Sequence, residues 1–144
     1  MTMEKFILDK DVHLFCVKAT SFPDGIMPAH SKLASICDPN KNRNHFGVSY
    51  WYDNDNLYLA AAEYSKDLEN IPDGCETYTL KKGNYISIHI SDFAKDISQI
   101  GQAFEQLLNY PNIDENGCCA ECYLPDGRSI ENAKDVRCMV RLAD

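Results

Sequence analysis

The chain has 144 residues, 44% of them hydrophobic and 25% charged, which is the composition of a folded protein of ordinary domain size. Its net charge is -8, from 14 basic and 22 acidic residues. No cluster of lysine and arginine is visible, so direct binding to nucleic acid, which needs a basic face, is not expected. The apolar stretches are far shorter than the roughly 20 residues that a membrane-spanning helix requires.

The cysteines and the first residues predict a cytoplasmic protein. Residues 1–10 are charged and lack the apolar core of a secretory signal. The chain has 7 cysteines, an odd number that excludes a complete set of intrachain disulfides. Cys118, Cys119 and Cys122 lie close together, but the others are scattered, whereas a structural zinc site usually draws on two spaced pairs. We therefore expect free core cysteines, with no metal or other cofactor.

The first half of the chain predicts a strand, a helix and a hairpin. Residues 12–19 are apolar and partly β-branched, as in a strand. Apolar residues then recur at helical spacing over 26–37. Residues 46–53, rich in valine and aromatic residues, and residues 57–64 predict two strands joined by an asparagine- and aspartate-rich turn. Residues 65–75 predict a connection.

The second half repeats this order. Residues 76–90 predict an extended strand with a bulge near Gly83. A stripe of apolar residues predicts a helix over 97–108. Residues 118–124 predict a strand, and the alternation over 136–142 predicts a last strand with one face on the core.

This duplicated order predicts an α+β fold. Each half, about 12–64 and about 76–142, has a sheet that one helix cannot cover on both faces. We expect the halves to join edge to edge into one curved antiparallel sheet within a single domain spanning 1–144. Both helices would then cover one face, and a groove for a ligand would open on the other, at the junction between the halves.

Several stretches, taken in order, resemble the GyrI-like family, the effector-binding domain of AraC- and MerR-type regulators. They are residues 21–33, 46–49 with 57–63, the glycine-tyrosine segment 83–86, the glutamate-x-tyrosine segment Glu121-Cys122-Tyr123, and the closing strand 136–142. Because none of these 144 residues predicts a DNA-binding segment, the resemblance is to a stand-alone form. It implies binding of a small organic molecule, such as a drug or metabolite.

Glu121 and Tyr123 are the leading site candidates. They are two residues apart, so on a strand they point to the same face. A carboxylate among aromatic rings suits a cation, through Coulomb attraction in a lowered dielectric and through cation–π contacts. Burial is expected to raise the pKa of Glu121 when the groove is empty.

Aromatic residues and small residues complete the expected groove. The rings that could form its walls are Tyr50, Trp51, Tyr52, Tyr58, Tyr64 and Tyr85. Of these we take Tyr50, Trp51 and Tyr85 as ligand-binding, together with Ala60 and Ala62, which would leave room for a ligand. A lone strand glutamate can also be merely solvated, and strand aromatics can be packing residues. The four histidines are dispersed without metal-ligand spacing, so we expect them to be structural.

Two further functions stay open. Some GyrI-like proteins hydrolyse strained electrophiles, and here Glu121 would act as general base on a water while a tyrosine donates to the leaving group. Alternatively, the acidic surface could bind and inhibit an essential enzyme. In neither case does the chain itself indicate a particular regulatory protein partner.

Overall fold

The computed structural model describes residues 1–38, 40–52 and 55–144, the side chains of residues 51, 52 and 55 excepted. The elements in chain order are β1 (Met3–Leu8), β2 (Val12–Lys18), α1 (Ile26–Ile36), β3 (His45–Tyr52), β4 (Asp55–Glu63), β5 (Glu76–Leu80), β6 (Gly83–Ile90), α2 (Ser98–Leu107), β7 (Cys119–Leu124) and β8 (Asp135–Arg141). A short 3-10 turn, Phe93–Lys95, precedes α2. None of the described helices is long and apolar enough to cross a membrane.

The eight strands of the described residues form one antiparallel sheet, in the order β1-β6-β8-β7-β3-β4-β2-β5. The two halves meet at its centre, where β3 pairs with β7 and Gly47 lies opposite Glu121. Each half contributes a strand, a helix and a hairpin. The predicted α+β fold, with a curved sheet and helices on one face, is therefore confirmed.

The outer strands differ from the prediction. The segment 76–90 forms two strands, β5 and β6, which turn at Gly83 with φ of 141°. β5 pairs with β2 of the first half, although the sequence pattern grouped it with the second. β1 was not predicted, because an exposed edge strand carrying Glu4 and Lys5 shows little apolar alternation. It pairs with β6 of the second half, so each half donates an outer strand to the other.

Strand alternation divides the core between two sheet faces. On one face, α1 packs over β2 and β4, and α2 packs over β6 and β8. The other face carries a cluster that includes Val48, Ala120 and Met139. Phe6 of one edge strand and Leu80 of the other both join that cluster, which shows that the sheet curves around it.

Candidate ligand-binding site

The centre of the site is Glu121, at the junction of the two halves on the helix-covered face. Its side chain is buried, with 9% of its surface exposed. The residue lies opposite Gly47 of β3 on one side and Cys138 of β8 on the other. The central strands therefore hold this carboxyl rigidly beneath the space between the two helices.

Two tyrosines donate hydrogen bonds to one oxygen of this carboxyl. The Tyr123 hydroxyl donates to Oε1 of Glu121 at 2.5 Å, and the Tyr58 hydroxyl donates to the same atom at 3.2 Å. The two hydroxyls lie 3.2 Å apart, and Nε2 of His30 lies 2.8 Å from Tyr58. No hydrogen bond among the described residues uses Oε2, so this second oxygen is available to a ligand.

The ionisation of this cluster is set mainly by burial. Desolvation raises the pKa of Glu121, and the hydrogen bonds from Tyr123 and Tyr58 partly oppose that rise. Burial also raises the pKa of both phenols well above the usual value, so both stay protonated. Desolvation lowers the pKa of His30 to about 4, so its ring is neutral at pH 7. Across the described part of the chain, no basic side chain forms a salt bridge with Glu121.

A cavity of about 480 Å³ opens above Glu121, between the helices. This size lies within the range of about 300–1,000 Å³ that is typical of small-molecule sites. Its walls are predominantly apolar: Phe22, Pro23, Ile26, Met27, Phe93, Ile97, Ile100, Phe104, Leu108 and Ile130. Four of these, Phe22, Met27, Ile97 and Leu108, are more than 40% exposed, which is unusual for large apolar side chains gathered around one opening.

A second cleft, lined by Lys41, Arg43 and Glu69, is about 570 Å³ in volume but differs in chemistry. Its charges neutralise one another: Glu69 lies 2.5 Å from Arg43 and 3.1 Å from Lys41. The hydrogen bond from Arg43 is the main reason that the pKa of Glu69 falls to about 2. This cleft therefore lacks the isolated carboxyl and apolar walls of the cavity above Glu121.

Gly47 allows Glu121, Tyr123, Tyr58 and His30 to form one hydrogen-bonded group, here called the hydroxyl cluster. A Cβ atom at this position would overlap the Tyr58 hydroxyl and lie 2.9 Å from Oε1 of Glu121. Only a residue without a side chain allows Tyr58 to cross the β3 backbone and reach the carboxyl.

Gly47→Ala is expected to lower the free energy of unfolding by about 1–3 kcal/mol, the usual cost of forcing an extra carbon into a packed interior. Chemical denaturation of both proteins measures this difference. Gly101→Ala in α2 is the matched control, because its Cβ would meet no heavy atom within 4 Å. That change should instead stabilise the helix by about 0.5–1 kcal/mol. Equal stability of Gly47→Ala and the wild type would contradict the packing described above.

Solved structures show where this architecture has been seen before, whereas no family model and no curated protein matches the chain significantly. A candidate bacterial transcription regulation protein from Staphylococcus aureus MU50 matches with a TM-score of 0.61 and 12% identity, over 100% of this chain and 99% of that one. SAV2435 bound to tetraphenylphosphonium matches with a TM-score of 0.59 and 11% identity, over 99% and 94% of the two chains. A hydrolase from Listeria innocua matches with a TM-score of 0.59 and 8% identity, over 99% and 92%.

The chain has the fold of these proteins. At such low identities the likeness concerns the fold alone, so the chemistry of the site has to be argued from the residues of this chain.

Six of the seven predicted ligand-binding residues have described side chains, and the structure brings two of these six together. Glu121 and Tyr123 both line the cavity. The cavity itself lies on the helix-covered face, whereas the groove was expected on the opposite face. The two helices leave a gap at the junction of the halves. The opposite face of the curved sheet is instead filled by the cluster that includes Val48, Ala120 and Met139.

Four of the other five predicted residues do not line the cavity. Tyr50 and Tyr85 belong to the cluster on the opposite face, where the Tyr50 ring stacks on Tyr78 with centroids 5.9 Å apart. Ala60 and Ala62 are fully buried beneath α1, so they make room for the helix rather than for a ligand. The backbone of Trp51 is in β3, and its side chain lies outside the described residues.

Two residues of the hydroxyl cluster were not among the seven. Tyr58 was considered only as one of six wall aromatics, and His30 was expected to be structural. The sequence does carry a signal for His30. It follows Ile26 by four residues and precedes Leu33 by three, so it lies on the sheet-facing stripe of α1.

Proposed function

We propose that this protein is a GyrI-like effector-binding domain that binds a small organic cation in the cavity between its helices. The observation that carries the proposal is a buried carboxyl whose described partners are two phenols, at the base of an apolar cavity. A buried carboxylate without a cationic partner is costly, and a cationic ligand would offset that cost. The free cysteines and the acidic composition fit a cytoplasmic binding protein.

The walls favour a cation whose charge is surrounded by hydrophobic groups. Phe22, Phe93 and Phe104 supply aromatic rings around the space, and cation–π contacts contribute about 0.5–2 kcal/mol each. The volume suits a ligand of drug size. The likeness in fold to SAV2435, which is bound to tetraphenylphosphonium, supports this choice of ligand class.

A matched pair of probes tests the role of charge. Tetraphenylphosphonium and tetraphenylborate have nearly the same size and shape but opposite charge. Isothermal titration of the wild-type protein should show saturable binding of the phosphonium and at least tenfold weaker binding of the borate, a difference of about 1.4 kcal/mol or more. Equal affinity for both ions, or tighter binding of the borate, would rule out a cation site.

Filling the cavity from α2 should block binding without unfolding the protein. Gly101 lines the cavity, and a side chain added there begins in open space. We expect Gly101→Phe to reduce phosphonium affinity by about tenfold or more, because its ring occupies the ligand volume. A tenfold loss corresponds to about 1.4 kcal/mol. Gly101→Ala is the control and should bind nearly as the wild type does. Unchanged affinity in Gly101→Phe would place the ligand elsewhere.

Hydrolysis of a strained electrophile is the second candidate function, favoured by the open Oε2 of Glu121 beside two phenols. In the reaction of an epoxide, Glu121 would take a proton from water while the water oxygen bonds to an epoxide carbon. The ring carbon–oxygen bond would break as the new bond forms, Tyr123 or Tyr58 would protonate the alkoxide, and the proton held by Glu121 would then return to that tyrosine. The likeness in fold to the Listeria innocua hydrolase is compatible with this chemistry.

The Glu121→Gln variant separates the two functions. With styrene oxide as probe, a hydrolase would convert it to the diol, and the variant would keep ligand binding but lose turnover. A binding protein would show no diol formation above the uncatalysed rate and would lose cation affinity in the variant. Chromatography of the diol and titration with the phosphonium give the two readouts.

A further inference from the structure

His30 reaches the base of the cavity from α1, although it does not line the ligand space. Its ring is buried, with 4% exposed. The ring packs edge-on against Tyr58 and Tyr123, at centroid separations of 5.7 and 5.5 Å. Its Nε2 atom is 2.8 Å from the Tyr58 hydroxyl. A polar ring so placed can decide how the hydroxyl protons of the cluster are arranged.

The number of protons in the cluster limits the arrangements. Each phenol has one proton to donate, and Tyr123 donates its proton to Glu121. The Tyr58 proton has three acceptors within reach: Oε1 of Glu121 at 3.2 Å, the Tyr123 oxygen at 3.2 Å and Nε2 of His30 at 2.8 Å. If Nε2 carries a proton, it donates to Tyr58, and Tyr58 donates to Glu121. If Nε2 is bare, it draws the Tyr58 proton away and leaves the carboxyl with one donor.

We propose that His30 is a positioning residue whose Nε2–H donates to Tyr58 and thereby commits the Tyr58 proton to Glu121. This inference rests on the proposed function, because it gives His30 the task of keeping Glu121 ionised for a cationic ligand. Hydrogen bonds aligned in one direction strengthen one another in a low-dielectric interior. Two donors on a carboxylate also favour its charged form over its neutral form.

The other titratable groups near Glu121 and His30 do not set the direction of the Tyr58 proton. Cys138 of β8 lies opposite Glu121, and Cys119 of β7 lies two residues before it. Burial raises the pKa of both thiols, that of Cys119 to about 11, so both are neutral at pH 7. His45 of β3 adds a Coulomb contribution, smaller than that of burial, to the lowered pKa of His30. Burial also lowers the pKa of the His45 ring. Helix α2 presents only apolar side chains and Gly101 to the cavity.

The test is a titration of Glu121 in the unliganded protein, followed by NMR of the ¹³C-labelled side-chain carboxyl groups. The Glu121 signal is identified by its absence in Glu121→Gln. His30→Phe keeps an aromatic ring but removes the donor, whereas His30→Gln places an N–H near the position of Nε2. We expect the midpoint for Glu121 to rise by about 0.5–1 pH unit in His30→Phe, since one pH unit corresponds to about 1.4 kcal/mol. In His30→Gln it should return toward the wild-type value.

The direction of the shift decides the inference. An unchanged or lowered midpoint in His30→Phe, or ¹⁵N shifts showing a bare Nε2 in the wild type, would overturn it. If the fold of His30→Phe is disturbed, seen as widespread changes in its amide spectrum, the comparison of His30→Gln with the wild type and the ¹⁵N shifts still decide. Rescue by glutamine is the result that a purely packing role of the ring does not predict.

A failure of the proposed cation site can be distinguished from a failure of the role assigned to His30. The titration uses no ligand, so it reports on His30 even if tetraphenylphosphonium does not bind. When it does bind, the pH midpoint of binding should move upward in His30→Phe together with the midpoint of Glu121. Phosphonium binding in the wild type with the same pH midpoint in His30→Phe would retain the cation site and reject the role of His30.

Discussion

Glu121→Gln is expected to weaken the binding of tetraphenylphosphonium by about 10- to 100-fold, which corresponds to about 1.4–2.8 kcal/mol. The variant removes a negative charge from a site of low dielectric, where Coulomb attraction is much stronger than in water. Glutamine has nearly the same size, and its amide oxygen can still accept from Tyr123. The loss should therefore come from the charge rather than from a change of shape. Isothermal titration of the two proteins measures it.

The control for this variant is Glu105→Gln on the exposed side of α2. It changes the net charge by the same amount but does not line the cavity. Phosphonium affinity should therefore stay within about twofold, because the effect of an exposed charge outside the cavity is largely screened by salt. Affinity for tetraphenylborate in Glu121→Gln should rise or stay constant. Wild-type phosphonium affinity in Glu121→Gln would show that this carboxyl is not the cation receptor.

Cation binding is expected to strengthen as the pH rises. Burial raises the pKa of Glu121 in the empty site, and a bound cation lowers it again because it stabilises the charged form. Between these two pKa values the affinity should increase by up to about tenfold per pH unit, and above both it should level off. The neutral His30, with its pKa near 4, does not change charge above pH 6.

Titrations with tetraphenylphosphonium between pH 5 and pH 8 measure this dependence. The slope should be lost in Glu121→Gln, since glutamine does not ionise. Constant wild-type affinity over this range, or stronger binding at acidic pH, would contradict the role assigned to the carboxyl.

Stability without ligand should respond to pH in the opposite direction. The folded protein holds the Glu121 proton to a higher pH than the unfolded chain does, because its pKa is raised on folding. The contribution of this group to the free energy of unfolding therefore falls as the pH rises from the usual glutamate pKa through the raised value. Denaturation of the wild type and Glu121→Gln across this range should show the difference, which serves as a ligand-free control.

The pairing of Glu121 with Tyr123 could be predicted from sequence, because alternation along a single strand fixes which side chains share a face. The same rule could not place Tyr50, Tyr85, Ala60 and Ala62 relative to them. That placement depends on the register between strands and on which face the helices cover. Both are set by tertiary packing, which local alternation does not encode.

Other parts of the site depended on long-range contacts in the same way. Tyr58 is 63 residues from Glu121 along the chain, and its approach requires the missing side chain of Gly47. His30 lay on a recognisable apolar stripe, yet its hydrogen-bond partner is 28 residues away. Strand β1 is held at the edge of the sheet by its pairing with β6. Its charged residues interrupt the apolar alternation, so the sequence pattern did not predict this strand.

A crystal structure of the protein with tetraphenylarsonium would test the central proposal most directly. Arsenic scatters anomalously, so its position can be read without assuming where the ligand binds. We expect one strong anomalous peak between α1 and α2, above Oε2 of Glu121 and among the rings of Phe22 and Phe104. A peak in the cleft beside Glu69, or none in the cavity of a crystal soaked to saturation, would contradict the assignment of Glu121 as the cation receptor.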